Sequence, residues 1–196
     1  MFGEVYDADA KLLSPYVRDT DMNSVLDFAY QASALNYAKG FTAKGLSALF
    51  ADDDRYTTDH SSAASLPTFL GNHDMGRIGY LLDTADRKLE RSTLAHELMF
   101  LTRGQPVVYY GDEQGFIGDR NDKDARESMF ASEVPSYLDN TLLDGSAYGT
   151  GDHFGTDGEL YTTIAELGAL RSAHPALATG PRSSSTPTAP STPWRG

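Results

Sequence analysis

Phe69-Leu70-Gly71-Asn72-His73-Asp74 reads as a short apolar strand that stops at an imidazole and a carboxylate. When a buried parallel strand ends and the backbone turns out to solvent, its last side chains are held rigidly at the rim where a substrate arrives. Asn-His-Asp at such a rim points to sugar chemistry, although all three are also ordinary turn residues and carry little information alone. Two further segments have the same form. Phe2-Gly3-Glu4-Val5-Tyr6-Asp7 places a second carboxylate at a strand end, and Gln105-Pro106-Val107-Val108-Tyr109-Tyr110-Gly111-Asp112-Glu113-Gln114-Gly115 is a third strand-like run entering a polar turn.

In this order the segments resemble the α-amylase family of glycoside hydrolases, glycoside hydrolase family 13, whose (β/α)8 barrels carry their chemistry at the C-terminal ends of successive strands. The wording around Leu66 to Ile78 looks most like the actinobacterial pullulanase and α-amylase branch. The resemblance implies that Gly3-Glu4 ends the fifth strand, with Glu4 as general acid/base. Asn72-His73-Asp74 would end the seventh, with Asp74 as transition-state stabiliser and His73 as substrate ligand. Pro106 to Gly115 would be the eighth strand and its loop, and Arg126-Glu127-Ser128-Met129 matches an Arg-x-x-Met segment. Asn72 and Arg77 join the implied substrate-binding set; Arg77 would hold a carboxylate of the site in place or be a solvated surface arginine. The implied substrate is an α-glucan such as starch, pullulan or glycogen. A retaining glycosidase needs one carboxyl to protonate the leaving oxygen while another, about 5 to 5.5 Å away, attacks the anomeric carbon.

The family's nucleophile, an aspartate in an Arg-x-Asp context ending the fourth strand, has no counterpart here, nor has the earlier Asp-x-x-x-x-Asn-His motif. A complete barrel takes roughly 250 residues, and this chain has 196. The expectation is the C-terminal half, strands 5–8, of a TIM-type (β/α)8 barrel over residues 1–180, inactive by itself. Such a half exposes a strand edge on either side, which leaves three outcomes open: aggregation, edge-to-edge dimerisation, or pairing with a chain supplying strands 1–4. A non-catalytic glucan-binding or partner-assembling half-barrel and a transglycosylase or isomerase of the same family are the rival readings.

Alternation along the chain supports the strand-helix repeat. Phe2 to Tyr6 reads as a strand, Leu12, Leu13 and Val17 as the lining of a helix, and Val25-Leu26-Asp27-Phe28 as the next strand. Leu46, Leu49 and Phe50 have helical spacing. Pro67 to Gly71 is a strand, then Leu94, Leu98 and Leu101 form a helical stripe closed by Gly104 as a C-terminal cap. Leu160, Ile164, Leu167 and Leu170 mark a last helix, started by Thr156-Asp157 and ended by Pro175. Tyr109 and Tyr110 are packing residues of their strand. From Pro181 to Gly196 the chain is Pro-, Ser- and Thr-rich without an acidic residue, so a disordered tail is expected, either a linker or a frameshifted end.

A formal net charge of −12 argues against a nucleic-acid partner. With no cysteine there are no disulfides or thiolate metal sites. No apolar run reaches the ~20 residues of a membrane helix, and the first residues lack the pattern of a secretory signal, although full-length relatives are often secreted. Asp119, Asn121, Asp122 and Asp124 have the composition of a calcium loop but not the Gly and Glu positions of an EF-hand. No cofactor is expected in this chain; calcium is one for a full-length parent. His60, His96, His153 and His174 show no ligand spacing.

Overall fold

The computed structural model describes residues 1–83, 85–118 and 123–180. The tail beyond 180 and Asp119, Asn121 and Asp122 of the acidic loop lie outside the described residues. Strands β1 (Phe2–Gly3) and β2 (Ser24–Val25) pair in parallel, as do β3 (Pro67–Thr68) and β4 (Gln105–Pro106). The Asp27 N–H donates to the Pro67 carbonyl at 3.0 Å and so joins the two pairs in chain order. The ladders are shorter than the expected runs Phe2–Tyr6, Pro67–Gly71 and Gln105 onward. Past each one the backbone bonds once more, as Leu26 N–H does to Gly3 and Val107 N–H to Thr68, and then turns outward.

A helix follows each strand: α1 (Ala10–Arg18), α2 (Phe28–Ala38) with α3 (Lys44–Ala51), α4 (Ile78–Leu81) with α5 (Lys88–Leu101), and α6 (Pro135–Leu138) with α7 (Glu159–Ala173) and α8 (Ala176–Thr179). Asp9 caps α1 by accepting the Lys11 N–H. Leu13 and Val17, one turn apart, are fully buried beneath it while Leu12 faces solvent.

The segment read as a strand through Phe28 is the largest difference from expectation. Pairing stops at Val25, because the Asp27 carboxylate accepts the Tyr30 N–H at 2.8 Å and starts α2. An N-cap carboxylate satisfies a donor the first turn leaves orphaned, so the chain turns helical there. Ala29, Ala34 and Ala38 on its buried face let α3 and α5 approach closely.

On α5 the buried face is Ser92, Ala95, His96, Met99 and Phe100, and Leu101 of the expected stripe is exposed. Both rows have helical spacing, and packing between α2 and α7 selects the first. Thr102, not Gly104, is the C-cap. Gly104 instead makes room for β3: at φ +101° a Cβ there would lie 2.4 Å from the Thr68 Cγ2. Leu160 and Leu167 bury one face of α7, whereas Leu170 is exposed. From the end of α7, the Arg171 guanidinium donates to the carbonyls of Phe100 (2.6 Å) and Thr102 (3.0 Å), closing the end of α5. Among the described residues no helix is long and apolar enough to cross a membrane.

Candidate active site

The chain leaves β3 through buried Phe69 and Leu70, with the Phe69 ring edge-on to Phe28 at 5.1 Å and Phe28 edge-on to Tyr6 at 4.8 Å. This ring ladder ties the segment after β1, which carries Glu4, to the segment carrying Asp74. Gly71 follows, where a Cβ would sit 2.4 Å from the Gly76 carbonyl oxygen. That close approach lets Asn72 and Gly76 exchange two backbone hydrogen bonds of 3.1 Å each. The Asn72 Oδ1 accepts the N–H groups of Asp74 (3.0 Å) and Met75 (2.9 Å), so its carbonyl braces the turn from within.

The turn presents His73 and Asp74 outward, about half exposed, with Nε2 and Oδ1 3.3 Å apart. The Arg126 Nη2 approaches the same Asp74 oxygen at 3.4 Å. Imidazole, carboxylate and guanidinium thus form one polar cluster, with donors and acceptors of the kind that bind hydroxyl groups. Glu4 is exposed one residue past β1.

Arg77 does not reach the surface. Its side chain is fully buried, and its Nε donates to the Glu127 Oε2 at 2.6 Å while Nη1 donates to the Tyr110 carbonyl and lies 3.3 Å from Asp112 Oδ1. The guanidinium lies 4.6 Å from the Tyr109 ring centroid and 5.0 Å from those of Tyr110 and Phe116. A side chain buried this completely is neither a solvated surface arginine nor a direct substrate ligand, and the carboxylates it holds are Asp112 and Glu127 rather than Glu4 or Asp74. Tyr109 and Tyr110 are not strand residues, since they follow β4; Tyr109 is partly buried, Tyr110 is exposed, and both rings flank the Arg77 cation.

Burial pulls the Arg77 guanidinium down, and Asp112 and Glu127 together outweigh it, leaving its pKa above the ordinary value. Burial pushes the Asp112 carboxyl up to about 7 against the opposing pull of Arg77. Sequence reasoning singles out neither acid. Glu127 lies in the Arg-x-x-Met segment and Asp112 in the turn after β4, but nothing local to either marks it as buried. A second buried network is equally silent in the sequence: Arg103 bonds Asp27, and its Nε donates to Asp53 Oδ1 at 2.8 Å. Among the described residues no group of three His, Cys, Asp or Glu side chains could hold a metal ion.

Parallel strands each followed by a helix, with polar side chains gathered where the strands end, define an α/β protein of the barrel type. The chain belongs to the α-amylase family: the family model described as Alpha amylase, catalytic domain, matches residues 1–180. It is 49% identical over 187 residues to an α-amylase of Streptomyces lividans, a match covering 92% of this chain and 20% of that protein. A cyclomaltodextrin glucanotransferase of Bacillus sp. (strain 38-2) is 30% identical over 159 residues, covering 80% of this chain and 18% of its own length. Among solved structures, the α-amylase from H. orenii superposes with a TM-score of 0.69 at 22% identity, over 91% of this chain and 37% of that one. The α-amylase from Malbranchea cinnamomea gives 0.64 at 25%, over 91% and 33%. The fold is therefore the α/β barrel type of the α-amylases, and the chain spans about a fifth of the length of the S. lividans and Bacillus relatives.

Proposed function

We propose that this chain is the C-terminal half, strands five to eight, of the catalytic barrel of a retaining α-glucan hydrolase. The observation that carries the reading is the family match over residues 1–180 by a chain covering only about a third of the solved α-amylases. Glu4 is the general acid/base that gives its proton to the leaving glycosidic oxygen and later takes one from water. Asp74 binds ring hydroxyls and favours the oxocarbenium-like transition state, with His73 donating to a hydroxyl of the same sugar. Asn72 belongs to the site as the brace of that turn, and Arg77 as the buried group beneath it. The attacking carboxylate comes from a polypeptide carrying strands one to four, so this chain alone does not turn over substrate. Its partners are that polypeptide and an α-glucan, and residues 181–196 are a tail outside the catalytic unit.

The test is to incubate the chain with maltoheptaose alone and with a separately expressed strand one-to-four segment of the S. lividans α-amylase. Reducing-sugar release only in the mixture, abolished by Glu4→Gln, supports the reading. Release by the chain alone, or binding of the glucan with no release in a complex shown to form, would replace it with a different mechanism or with a non-catalytic binding module. The glucanotransferase relative favours a second reading, in which a sugar hydroxyl rather than water accepts the glycosyl group. Product analysis for cyclic or elongated glucans decides between them.

A further inference from the structure

Arg126 and Glu127 are neighbours in the chain with opposite surroundings, Arg126 exposed to solvent and Glu127 fully buried. Asp74 and Arg77 are arranged likewise across the Asn-His-Asp turn. Two ion pairs of opposite polarity are thereby stacked: Asp74 with Arg126 at the surface, 3.4 Å apart, and Arg77 with Glu127 beneath, 2.6 Å apart. The lower pair connects the two backbones that carry the upper one. Its arginine is fixed from several sides, by the Tyr110 carbonyl, by Asp112 and by three aromatic rings. Its glutamate is steadied by the Asn140 Nδ2, which donates to Oε1 at 3.4 Å. The Tyr109 hydroxyl donates to the Ala125 carbonyl at 3.0 Å and the Tyr148 hydroxyl to that of Ser128, so the segment is held on both flanks of Glu127 as well.

We propose that Glu127 is a positioning residue whose buried bond to Arg77 sets where Arg126 meets Asp74, and so orients the Asp74 carboxylate and the His73 ring toward a sugar. The proposal rests on the reading of Asp74 and His73 as glucan-binding groups. A desolvated, bidirectionally anchored pair resists displacement far better than the half-exposed pair above it, which is why control runs from Glu127 to Asp74.

The experiment uses the full chain. Side-chain NMR signals of His73 and Asp74 and the affinity for maltoheptaose are measured in wild type, Glu127→Gln, Glu127→Asp and Arg126→Gln. Loss of the charge in Glu127→Gln shifts both signals and weakens binding about tenfold, the scale of one charge-assisted hydrogen bond, and Glu127→Asp restores part of it. In an Arg126→Gln background, Glu127→Gln moves the two signals no further. A merely structural Glu127 would lower stability equally in both backgrounds and move neither signal, which overturns the proposal. If wild type fails to bind maltoheptaose, the glucan reading falls, while the shifts without ligand still decide the positioning. Where Glu127→Gln does not fold, the surface variant Arg126→Gln decides by reciprocity: coupling shifts the Arg77 Nε–H signal, and an unmoved signal refutes it.

Discussion

Arg103 and Asp27, far apart in the chain, form an ion pair with both side chains almost fully buried. Asp27 uses its other oxygen to cap α2, at 2.8 Å from the Tyr30 nitrogen, and Arg103 reaches Asp53 as well. One carboxylate therefore starts a helix and anchors the turn that leads into β4. Removing Asp27 leaves the buried Arg103 with Asp53 as its remaining carboxylate, so Asp27→Ala costs less than the roughly 3 to 5 kcal/mol of a fully orphaned charge, about 2 kcal/mol, with a further ~1 kcal/mol for the lost cap. Asp27→Asn keeps the cap and costs less. Urea denaturation midpoints of the two variants check the order.

Gly71 and Gly104 are steric requirements. Alanine at either would put a Cβ 2.4 Å from a neighbouring atom, and at Gly104 would also force a side chain to φ +101°. Each substitution destabilises by roughly 1 to 3 kcal/mol or more. Gly151→Ala, where a Cβ meets nothing within 4 Å, is the matching control and leaves the midpoint nearly unchanged.

Two buried groups give stability opposite slopes against pH. Burial pushes His96 down to about 4; its Nδ1 lies 2.8 Å from the Ser92 carbonyl oxygen, and its Nε2 is buried without a partner. The unfolded chain takes up this proton first, so the His96 contribution is complete above about 6.5 and is lost as pH falls toward about 4, a change on the order of 3 kcal/mol. Asp112, pushed up to about 7, behaves in reverse: its contribution is complete below the ordinary carboxylate value and is lost as pH rises through about 7. Between pH 4 and 6.5 the two slopes oppose each other. His96→Leu is expected to make stability fall with rising pH across that window, and Asp112→Asn to make it rise. Parallel curves for both variants and wild type, from thermal melts at stepped pH, would contradict the assignment.

His73→Ala and Asp74→Asn change half-exposed side chains on a turn whose backbone is closed by Asn72 and Gly76. Both are expected to leave the unfolding midpoint within about 0.5 kcal/mol of wild type while weakening maltoheptaose binding about tenfold. Asn72→Ala removes the acceptor for two backbone N–H groups and is expected to lose stability and binding together. Calorimetric titration beside thermal melts separates the two patterns.

The residue types of the Asn-His-Asp turn, the family resemblance and the helices α1, α3 and α7 are legible in the sequence, because each is written in neighbours a few positions apart. Leu13 with Val17 and Leu160 with Leu167 bury the faces that their spacing marks. Local patterning cannot choose between the two stripes of α5, since both repeat at the helical period, and it misses the start of α2 because Asp27 reads equally as a strand residue and as a cap. Nor can it place Arg77. That arginine is buried because Glu127 and Asp112 meet it from segments 50 and 35 positions away, and whether a charge is solvated or caged depends on partners that only the folded chain brings within reach.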